Sequence, residues 1–356
     1  MRYPKFLHKG GTIGFMAPSF GFAEGDYRTV AFENALKKWR EMGYSLVLGP
    51  NCHASEGVGI SNTQEKCGQE VMDSFLSKES DCLISCGGGE LMCEILPYVD
   101  FEKLAEAEPK WFMGYSDNTN LTYLLATLAD TASVYGPCVG TFGMETWHES
   151  LYDAFGILTG EKADVGANSE GCRVTVGGYS GWEKESLKGP ENPLAPYHLT
   201  EAHTLCAYVG REQTSAELAF SGRLLGGCLD CLVTLLGTRF DKTREFVERY
   251  REDGIIWFLE ACDLNVFSIR RAMWQMEEAG WLTAVKGFLI GRPLNGASMM
   301  NLDAHSAVLE VAGRKNVPVV MDVDLGHLPP MMPLVVGSLA DVTVKGNDIG
   351  IEMRLV

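Results

Sequence analysis

The sequence is poor in positive charge and in unbroken hydrophobic stretches. Its 356 residues include 30 Lys and Arg against 47 Asp and Glu, which gives a formal net charge of -17. A surface of that sign repels phosphate backbones and anionic lipid head groups. No apolar run reaches the roughly 20 residues that cross a bilayer. We therefore expect neither a nucleic acid nor a membrane as a partner.

Signals for export and for disulfide bonding are also weak. The basic start MRYPKFLHKG leads into an apolar run that Gly14 and Pro18 interrupt, which is typical of a first strand rather than a signal peptide. The 11 cysteines are an odd number in a chain large enough to bury a core without disulfides. Cys228 and Cys231 have redox or half-zinc spacing, but no second pair follows. We expect a cytoplasmic protein that needs no metal.

The chain has the composition of a globular protein, with 46% hydrophobic and 22% charged residues, and a length that favours two domains. Over residues 1–150, short apolar runs alternate with helical patterns, as in βαβ units. Strands are predicted at 12–17, 44–48, 81–85 and 111–114, with helices at 27–42, 64–76 and 118–128. This alternation predicts an open α/β layer.

The middle of the chain, from about residue 141 to 219, has no clear period and many turn residues. We assign 151–220 as a connector with a loop insertion. Regular patterns return afterwards, with strands at 255–260, 287–289 and 317–322 and a helix at 268–279. Residues 221–356 are therefore predicted to form a second, β-rich domain.

Ser116 is the first candidate for chemistry. The segment WFMGYSDNTNLTYLL places it between a predicted strand and a predicted helix, where a sharp turn would expose the hydroxyl at the edge of the sheet. Asn118 stands where the G-x-S-x-G pattern has its second glycine. The alternative is that Ser116, Asp117 or Asn118 only caps the following helix.

A serine nucleophile needs a base and an acid that orients the base. Among seven histidines, His327 follows a strand in DVDLGHLPPMMPL, a loop that two prolines stiffen. Glu260 ends the apolar run at 255–259, which would place its carboxylate at a strand tip. Glu260 could also be a strand-end carboxylate facing water, with Asp263 as the fallback acid. The order Ser, acid, His is one known triad order.

The glycine-rich segment CGGGE, at residues 86–90, follows a predicted strand. It lacks both G-x-G-x-x-G and the Lys-Ser/Thr of a P-loop, so it is a weak nucleotide motif. Backbone N–H groups of Gly88 or Gly89, together with that of Asp117, could instead stabilise an oxyanion. The alternative is a tight strand-to-helix turn.

Six ordered segments resemble the motifs of the LD-carboxypeptidases, a serine peptidase family that also includes microcin C immunity proteins. They are GGTIGFMAPS, the Gly88-Gly89 pair with ILPYVDF, MGYSDNTNL, LLGGCLDCL, IIWFLE with IRRAM, and DVDLGH. The resemblance implies an N-terminal flavodoxin-like open parallel sheet with helices on both faces and a smaller C-terminal β-rich α/β domain. It also implies homodimers and a reaction without a cofactor.

The resemblance implies a triad of Ser116, Glu260 and His327, assembled across the cleft between the domains. It further implies an oxyanion hole, which we place at the amides of Gly88 and Asp117. In the proposed reaction, His327 takes the serine proton, the alkoxide attacks the amide carbonyl, and His327 then protonates the leaving amine.

Substrate contacts are predicted at Gly89, Trp182 and Arg271. Trp182 could stack on a substrate or pack the insertion against its own domain. Arg271, at the family's usual arginine position, and Arg292 are candidates to bind a free carboxylate, or to form structural ion pairs. Ala261 departs from the family, since many members carry a second acid at that point.

The family resemblance implies two substrate types. One is the amide bond to a C-terminal D-amino acid in muropeptides, and the other is the carboxamide of a microcin C-like peptide-nucleotide. A non-catalytic protein that binds a peptide or amino acid in its cleft is the alternative. A nucleotide-dependent oxidoreductase is a weaker option, because the dinucleotide fingerprint is incomplete.

Overall fold

The computed structural model describes residues 1–165 and 171–355, so residues 166–170 of the expected connector lie outside the described residues. The chain divides into two compact units. The first comprises Met1–Ala163 and Glu185–His198, and the second comprises Asp164–Lys184 and Leu199–Val356. One unit is an α/β layer with a parallel sheet and the other is β-rich, which confirms the predicted fold class.

The first unit alternates strands and helices. Its strands are β1 (Thr12–Met16), β2 (Ser45–Leu48), β3 (Cys82–Ser85), β4 (Trp111–Gly114) and β5 (Ser133–Tyr135), and its helices are α1 (Arg28–Glu41), α2 (Gln64–Leu76), α3 (Phe101–Glu106), α4 (Thr119–Ala129) and α5 (Glu149–Thr159). The strands run parallel in the order β5-β4-β3-β1-β2. Every residue of β3 and β4 is buried, as expected where helices cover both faces of a parallel sheet.

Helix α4 is buried on all sides, with Leu128 its one residue that is not fully buried. Its polar residues at 119, 120, 122 and 127 are buried together with the apolar ones, so the whole helix lies in the protein interior. Because α4 follows β4 almost directly, the turn between them is attached to two buried elements. That turn carries Ser116.

The second unit contains one large mixed sheet. Its strands and helices in chain order are β6 (Ala163–Val165, which begins in the first unit), β7 (Cys172–Gly177), β8 (Gly181–Trp182), β9 (Glu201–Ala202), β10 (Cys206–Val209), β11 (Glu212–Gln213), β12 (Leu218–Cys228), α6 (Leu229–Leu235), α7 (Thr243–Arg249), β13 (Ile255–Glu260), α8 (Val266–Glu278), β14 (Val285–Gly291), α9 (Ala304–Ala312), β15 (Pro318–Val323), β16 (Leu334–Val336), β17 (Leu339–Lys345) and β18 (Asp348–Leu355). The sheet order is β11-β10-β15-β14-β13-β12-β17-β18-β7-β6. Strands β12 to β15 are parallel and form its centre.

The stretch at 151–220, expected to be a connector, contains regular structure. It begins with most of α5 in the first unit and then supplies β7 and β10 to the large sheet. Because these strands enlarge the second unit, the two units are of nearly equal length. The strands are short and separated by turn residues, so they have too few alternations to produce a visible period.

Glycine permits the close pairing of β12 with β13. Gly226 has φ 156°, and a Cβ atom built on it would lie 1.8 Å from the carbonyl oxygen of Phe258. Any side chain there would displace β13, the strand that ends at Glu260. Within the two described ranges, no helix is both long and apolar enough to span a bilayer.

Candidate active site

Ser116 occupies a strained turn between β4 and α4. Its φ of 61° is in the left-handed region, where a residue with a Cβ atom costs roughly 1 kcal/mol or more. Its backbone N–H donates to the Tyr135 hydroxyl at 3.2 Å, and residues 116–118 form one 3-10 turn. Strain of this kind persists where the surroundings impose it, and it is frequent at reactive sites. The geometry is that of the predicted sharp strand-to-helix turn.

The residue that immediately precedes α4 does not cap it with its side chain. Asn118 makes no side-chain capping bond to the helix. Its amide group instead donates to the carbonyl oxygens of Gly87, at 2.8 Å, and Tyr115, at 3.1 Å. Asn118 therefore ties the turn to the loop that follows β3.

Gly88 lies against the Ser116 side chain. A Cβ atom built on Gly88 would fall 3.0 Å from Ser116 Cβ, 3.1 Å from Ser116 Oγ and 3.8 Å from the Asp117 nitrogen. At Gly89 it would fall 2.2 Å from Ser19 Oγ. The loop after β3 thus brings bare backbone to the hydroxyl, as a site for an incoming carbonyl requires.

The Asp117 carboxylate anchors the turn that carries Ser116. Its Oδ2 accepts hydrogen bonds from Ser19 Oγ at 2.6 Å and from the Met92 amide at 2.9 Å, and its Oδ1 accepts one from Asn120 at 3.1 Å. Only 3% of Asp117 is exposed, and burial raises the pKa of its carboxyl group. Because the side chain is fixed on both oxygens, the backbone N–H of Asp117 is held in place beside Ser116.

Glu260 and His327 are brought together in the second unit. Glu260, the last residue of β13, is buried, and its Oε2 lies 2.8 Å from His327 Nδ1. An ionised carboxylate can only accept, so Nδ1 carries the proton. Gly326 has φ 92°, and a Cβ atom there would lie 2.4 Å from Glu260 Oε2. Glycine before the histidine therefore permits the contact.

The charge of Glu260 dominates the protonation of His327. Burial alone lowers the pKa of His327, but the Glu260 carboxylate and the Cys262 thiol outweigh it and raise the pKa above its ordinary value of 6.5. The pair therefore stabilises an imidazolium. That is the form a histidine takes after it removes a proton from a nucleophile.

Asp230, which the sequence analysis did not single out, holds the loop that follows Glu260. Its carboxylate accepts hydrogen bonds from the backbone N–H groups of Cys262, Asp263 and Leu264, at 3.1, 2.9 and 3.1 Å. Asp263, the fallback acid, is exposed, and Glu260 is the acid that contacts the histidine. An acidic residue in the first turn of α6 was the available signal.

The Cys228-Cys231 pair lies next to this loop. Cys228 is buried, and its Sγ lies 3.4 Å from Asp230 Oδ2. The adjacent Cys231 thiol, together with burial, raises the pKa of Cys228 well above 9.0. A thiol held in its protonated form is a poor nucleophile, so the pair has the character of a packed interior rather than of a redox centre.

Trp182 packs against a buried ion pair. The guanidinium carbon of Arg292 lies 5.1 Å from the centre of the half-buried Trp182 ring, and Arg292 bonds to the buried carboxylate of Asp324. Arg292 is therefore a structural ion-pair partner. The next residue of the chain, Glu183, donates its N–H to the Pro329 carbonyl at 2.7 Å. This bond fixes Trp182 beside the loop that carries the candidate histidine.

Arg271, the other arginine candidate, is exposed on α8. Its guanidinium donates to Ser268 Oγ at 2.9 Å, one turn earlier on the same helix. This contact is local to α8, so a role in binding a substrate carboxylate stays a prediction.

Two family descriptions match most of the chain. Residues 13–136 match the LD-carboxypeptidase N-terminal domain, and residues 221–342 match the LD-carboxypeptidase C-terminal domain. The first range contains Ser116, and the second contains both Glu260 and His327.

Individual relatives agree with these matches. The microcin C7 self-immunity protein MccF of Escherichia coli is 25% identical over 97% of this chain and 94% of its own. A probable murein peptide carboxypeptidase of Bacillus subtilis is 25% identical over 98% and 94%.

Solved structures show the same fold. The crystal structure of an MccF-like protein from Bacillus anthracis superposes with a TM-score of 0.80 at 20% identity, covering 99% of both chains. MccF in complex with aspartyl sulfamoyl adenosine superposes with a TM-score of 0.77 at 20% identity, covering 100% of this chain and 99% of that one. On the family matches, the chain belongs to the LD-carboxypeptidase family of serine peptidases.

Proposed function

We propose that the chain is a serine carboxypeptidase in which Ser116 is the nucleophile, His327 the general base and Glu260 the acid that orients the base. The observation that carries the proposal is the left-handed backbone of Ser116 at a strand-to-helix turn, with Gly88 against its hydroxyl. The 2.8 Å contact between Glu260 and His327 supports the other two roles.

The reaction proceeds through an acyl-enzyme. His327 accepts the proton of Ser116, whose oxygen attacks the carbonyl carbon of the scissile amide. His327 then donates that proton to the leaving amine, and a water molecule, deprotonated by the same imidazole, releases the acid. Because His327 Nδ1 donates its proton in a hydrogen bond to Glu260, Nε2 is the nitrogen that exchanges protons with serine and water.

The oxyanion is stabilised by the backbone N–H groups of Gly88 and Asp117. Each such donor typically contributes about 3 kcal/mol to lowering the barrier. The hydrogen bonds that the Asp117 carboxylate accepts from Ser19 and Met92 support this role, since they fix the Asp117 backbone before the reaction begins.

The first substrate class is a muropeptide with a C-terminal D-amino acid. Its support is the family and the murein peptide carboxypeptidase of B. subtilis among the relatives. A terminal carboxylate is bound well by a guanidinium group, and Arg271 is the candidate for that contact because Arg292 is already paired with Asp324.

The second substrate class is the carboxamide of an aminoacyl or peptidyl nucleotide. Trp182 favours it, because a half-buried indole beside the His327 loop is a surface on which a nucleobase stacks. MccF, which shares the fold, binds aspartyl sulfamoyl adenosine in its solved structure.

A single assay tests the function and separates the substrates. Purified protein receives an L,D-tetrapeptide and an aminoacyl-sulfamoyl nucleotide in parallel, with Ser116→Ala as the control. We expect turnover of at least one substrate, loss of turnover in the variant, and labelling of Ser116 by a fluorophosphonate. Equal turnover by Ser116→Ala would refute the mechanism, and tight binding without turnover or labelling would identify a binding protein instead.

Two further expectations belong to this proposal. The protein acts in the cytoplasm, and it forms a homodimer, as the family resemblance implies. Light scattering coupled to size-exclusion chromatography tests the second, and a mass near 39.0 kDa would contradict it.

A further inference from the structure

Three side chains with metal-binding atoms converge in the second unit, apart from the residues proposed for catalysis. They are Cys206, His305 and Asp322, and one ligand atom of each lies within 4.8 Å of the other two. They belong to β10, α9 and β15. Among the residues that the structure describes, this is the one such group of three.

The sheet places two of the three side by side. Strands β10 and β15 are antiparallel, and Cys206 lies opposite Met321, the residue before Asp322. Asp322 has φ 65°, and β15 carries an extra residue relative to β14 in this region. A bulge of this kind redirects a side chain, and a left-handed aspartate persists only where its surroundings hold it. Here the Arg292 guanidinium donates to the Asp322 carbonyl.

His305 completes the group from the first turn of α9. Its Nε2 lies 2.8 Å from Asp322 Oδ2, and its Nδ1 lies 3.1 Å from the Tyr208 hydroxyl. Metal-binding histidines almost always have a polar partner on the second ring nitrogen, which fixes the ring and its tautomer. Tyr208, two residues after Cys206 on the same face of β10, is such a partner.

We propose that Cys206 Sγ, His305 Nε2 and an Asp322 carboxylate oxygen bind one zinc ion. A thiolate, an imidazole and a carboxylate are all zinc ligands, whereas magnesium and calcium prefer oxygen alone. In a tetrahedral zinc site the ligand atoms lie roughly 3.3 to 3.7 Å apart, so side-chain adjustments of about an ångström suffice. Solvent completes the fourth position.

Protonation balances in a simple way. Binding displaces the thiol proton of Cys206 and the Nε2 proton of the His305 imidazolium, and the ring stays neutral because Nδ1 keeps its proton and donates it to the Tyr208 hydroxyl. Asp303, at the start of α9, adds a further negative charge near His305.

A cysteine nucleophile is a poorer interpretation of the same residues. Tyr208 and Asp322 occupy both nitrogens of His305, so its ring is not positioned to activate the thiol. A zinc ion needs no such base, because a coordinated thiol is deprotonated.

Metal ions can reach the site from solvent. The side chains of His305 and Asp322 are 28% and 24% exposed, and Cys206 is half-buried. An ion held there would cross-link a strand, a helix and a second strand of the sheet. The expected effect is therefore on the stability of the second unit, independent of the proposed hydrolysis.

Cobalt binding tests the proposal on the full-length protein. The chain is stripped with a chelator, kept reduced, and titrated with Co²⁺, which gives an intense near-ultraviolet absorption when a thiolate coordinates it. We expect one Co²⁺ per chain, displaced by Zn²⁺, and a zinc-dependent rise in Tm. Absence of the absorption band in the unmodified protein would overturn the proposal.

Matched variants locate the site. Cys206→Ser should lose the band and the zinc-dependent rise in Tm, whereas Cys231→Ser and Cys172→Ser should keep both. Tyr208→Phe should weaken binding by about 10- to 100-fold through the freed imidazole. Circular dichroism confirms that each variant is folded. At Asp322 the substitution of choice is Asp322→Asn, because asparagine tolerates the left-handed backbone. Equal cobalt binding by Cys206→Ser would refute the assignment.

Discussion

Glu260 Oε2 and His327 Nδ1 lie 2.8 Å apart, although 67 positions separate the two residues in the chain. The contact forms because β13 ends at Glu260 and because Gly326 has no side chain to push the histidine loop away. The carboxylate then controls the charge of the imidazole. This control of the imidazole charge first affects the pH dependence of activity.

Removing the charge of Glu260 should shift the pH profile. Activity requires neutral His327, so kcat/KM rises as pH increases through the pKa of that residue. Glu260 raises this pKa, which places the rising limb of the wild type above pH 6.5. In Glu260→Gln the limb should move to lower pH and the maximum should fall by about 10²- to 10⁴-fold. Asp263→Asn is the matched control and should change neither.

Substitutions of Ser116 should separate chemistry from strain. Ser116→Ala and Ser116→Gly should each lower kcat by roughly 10³-fold or more. Glycine adopts φ 61° without a steric penalty, so Ser116→Gly should be the more stable of the two by up to about 1 kcal/mol. Urea unfolding measures the difference. A more stable Ser116→Ala would show that the turn is not strained.

Gly88→Ala should impair activity through crowding at the serine. The new methyl group would lie 3.1 Å from Ser116 Oγ, within the space proposed for the substrate carbonyl. We expect kcat/KM to fall by about 10²-fold, comparable with the loss of one oxyanion donor. Gly189→Ala is the control, because a Cβ atom there meets nothing within 4 Å. Equal activity of the two variants would contradict the proposed site.

Asp230→Ala should act through the loop that follows Glu260. Three backbone N–H groups lose their acceptor, which we expect to lower the free energy of unfolding by about 1 to 3 kcal/mol. As a positioning residue, Asp230 should affect kcat more than KM. Asp230→Asn retains one oxygen and should recover part of kcat. A change confined to stability would show that Asp230 is only structural.

Trp182→Ala should discriminate between the substrates. Stacking of a base on an aromatic ring contributes about 1 to 3 kcal/mol, so KM for an aminoacyl-sulfamoyl nucleotide should rise about 10-fold or more. KM for a tetrapeptide should change less, and Trp182→Phe should retain part of the nucleotide affinity. Equal changes for both substrates would mean that Trp182 only packs against Arg292.

Elements with a distinct apolar pattern could be predicted from the sequence. The helix predicted at 64–76 and the strands predicted at 111–114 and 255–260 have the observed bounds. The helix shows its helical period, and the two strands are continuous apolar runs because they are buried on both faces. The sheet order could not be predicted, since β7 and β10 have few residues and pair with strands more than 100 positions away.

The chemistry of the second unit was only partly predictable. Three histidines contact an acidic residue, namely His203 with Asp324, His305 with Asp322 and His327 with Glu260. A sequence shows neither these pairings nor that Arg292 shares Asp324. His327 was singled out by its loop. Cys206, whose thiol lies near His305 in the structure, is almost 100 positions away from it in the chain.

The chain passes between its two units more than once, and this limits how the protein can be divided. Residues 185–198 return to the first unit, where Leu194 accepts a hydrogen bond from Glu145 at 2.8 Å and Tyr197 packs on His148. A gene cut after residue 163 would leave the first unit incomplete, because residues 185–198 of that unit would be encoded by the other fragment. Exchanging one unit between relatives therefore requires a crossover point at each end of residues 185–198 as well as one after residue 163.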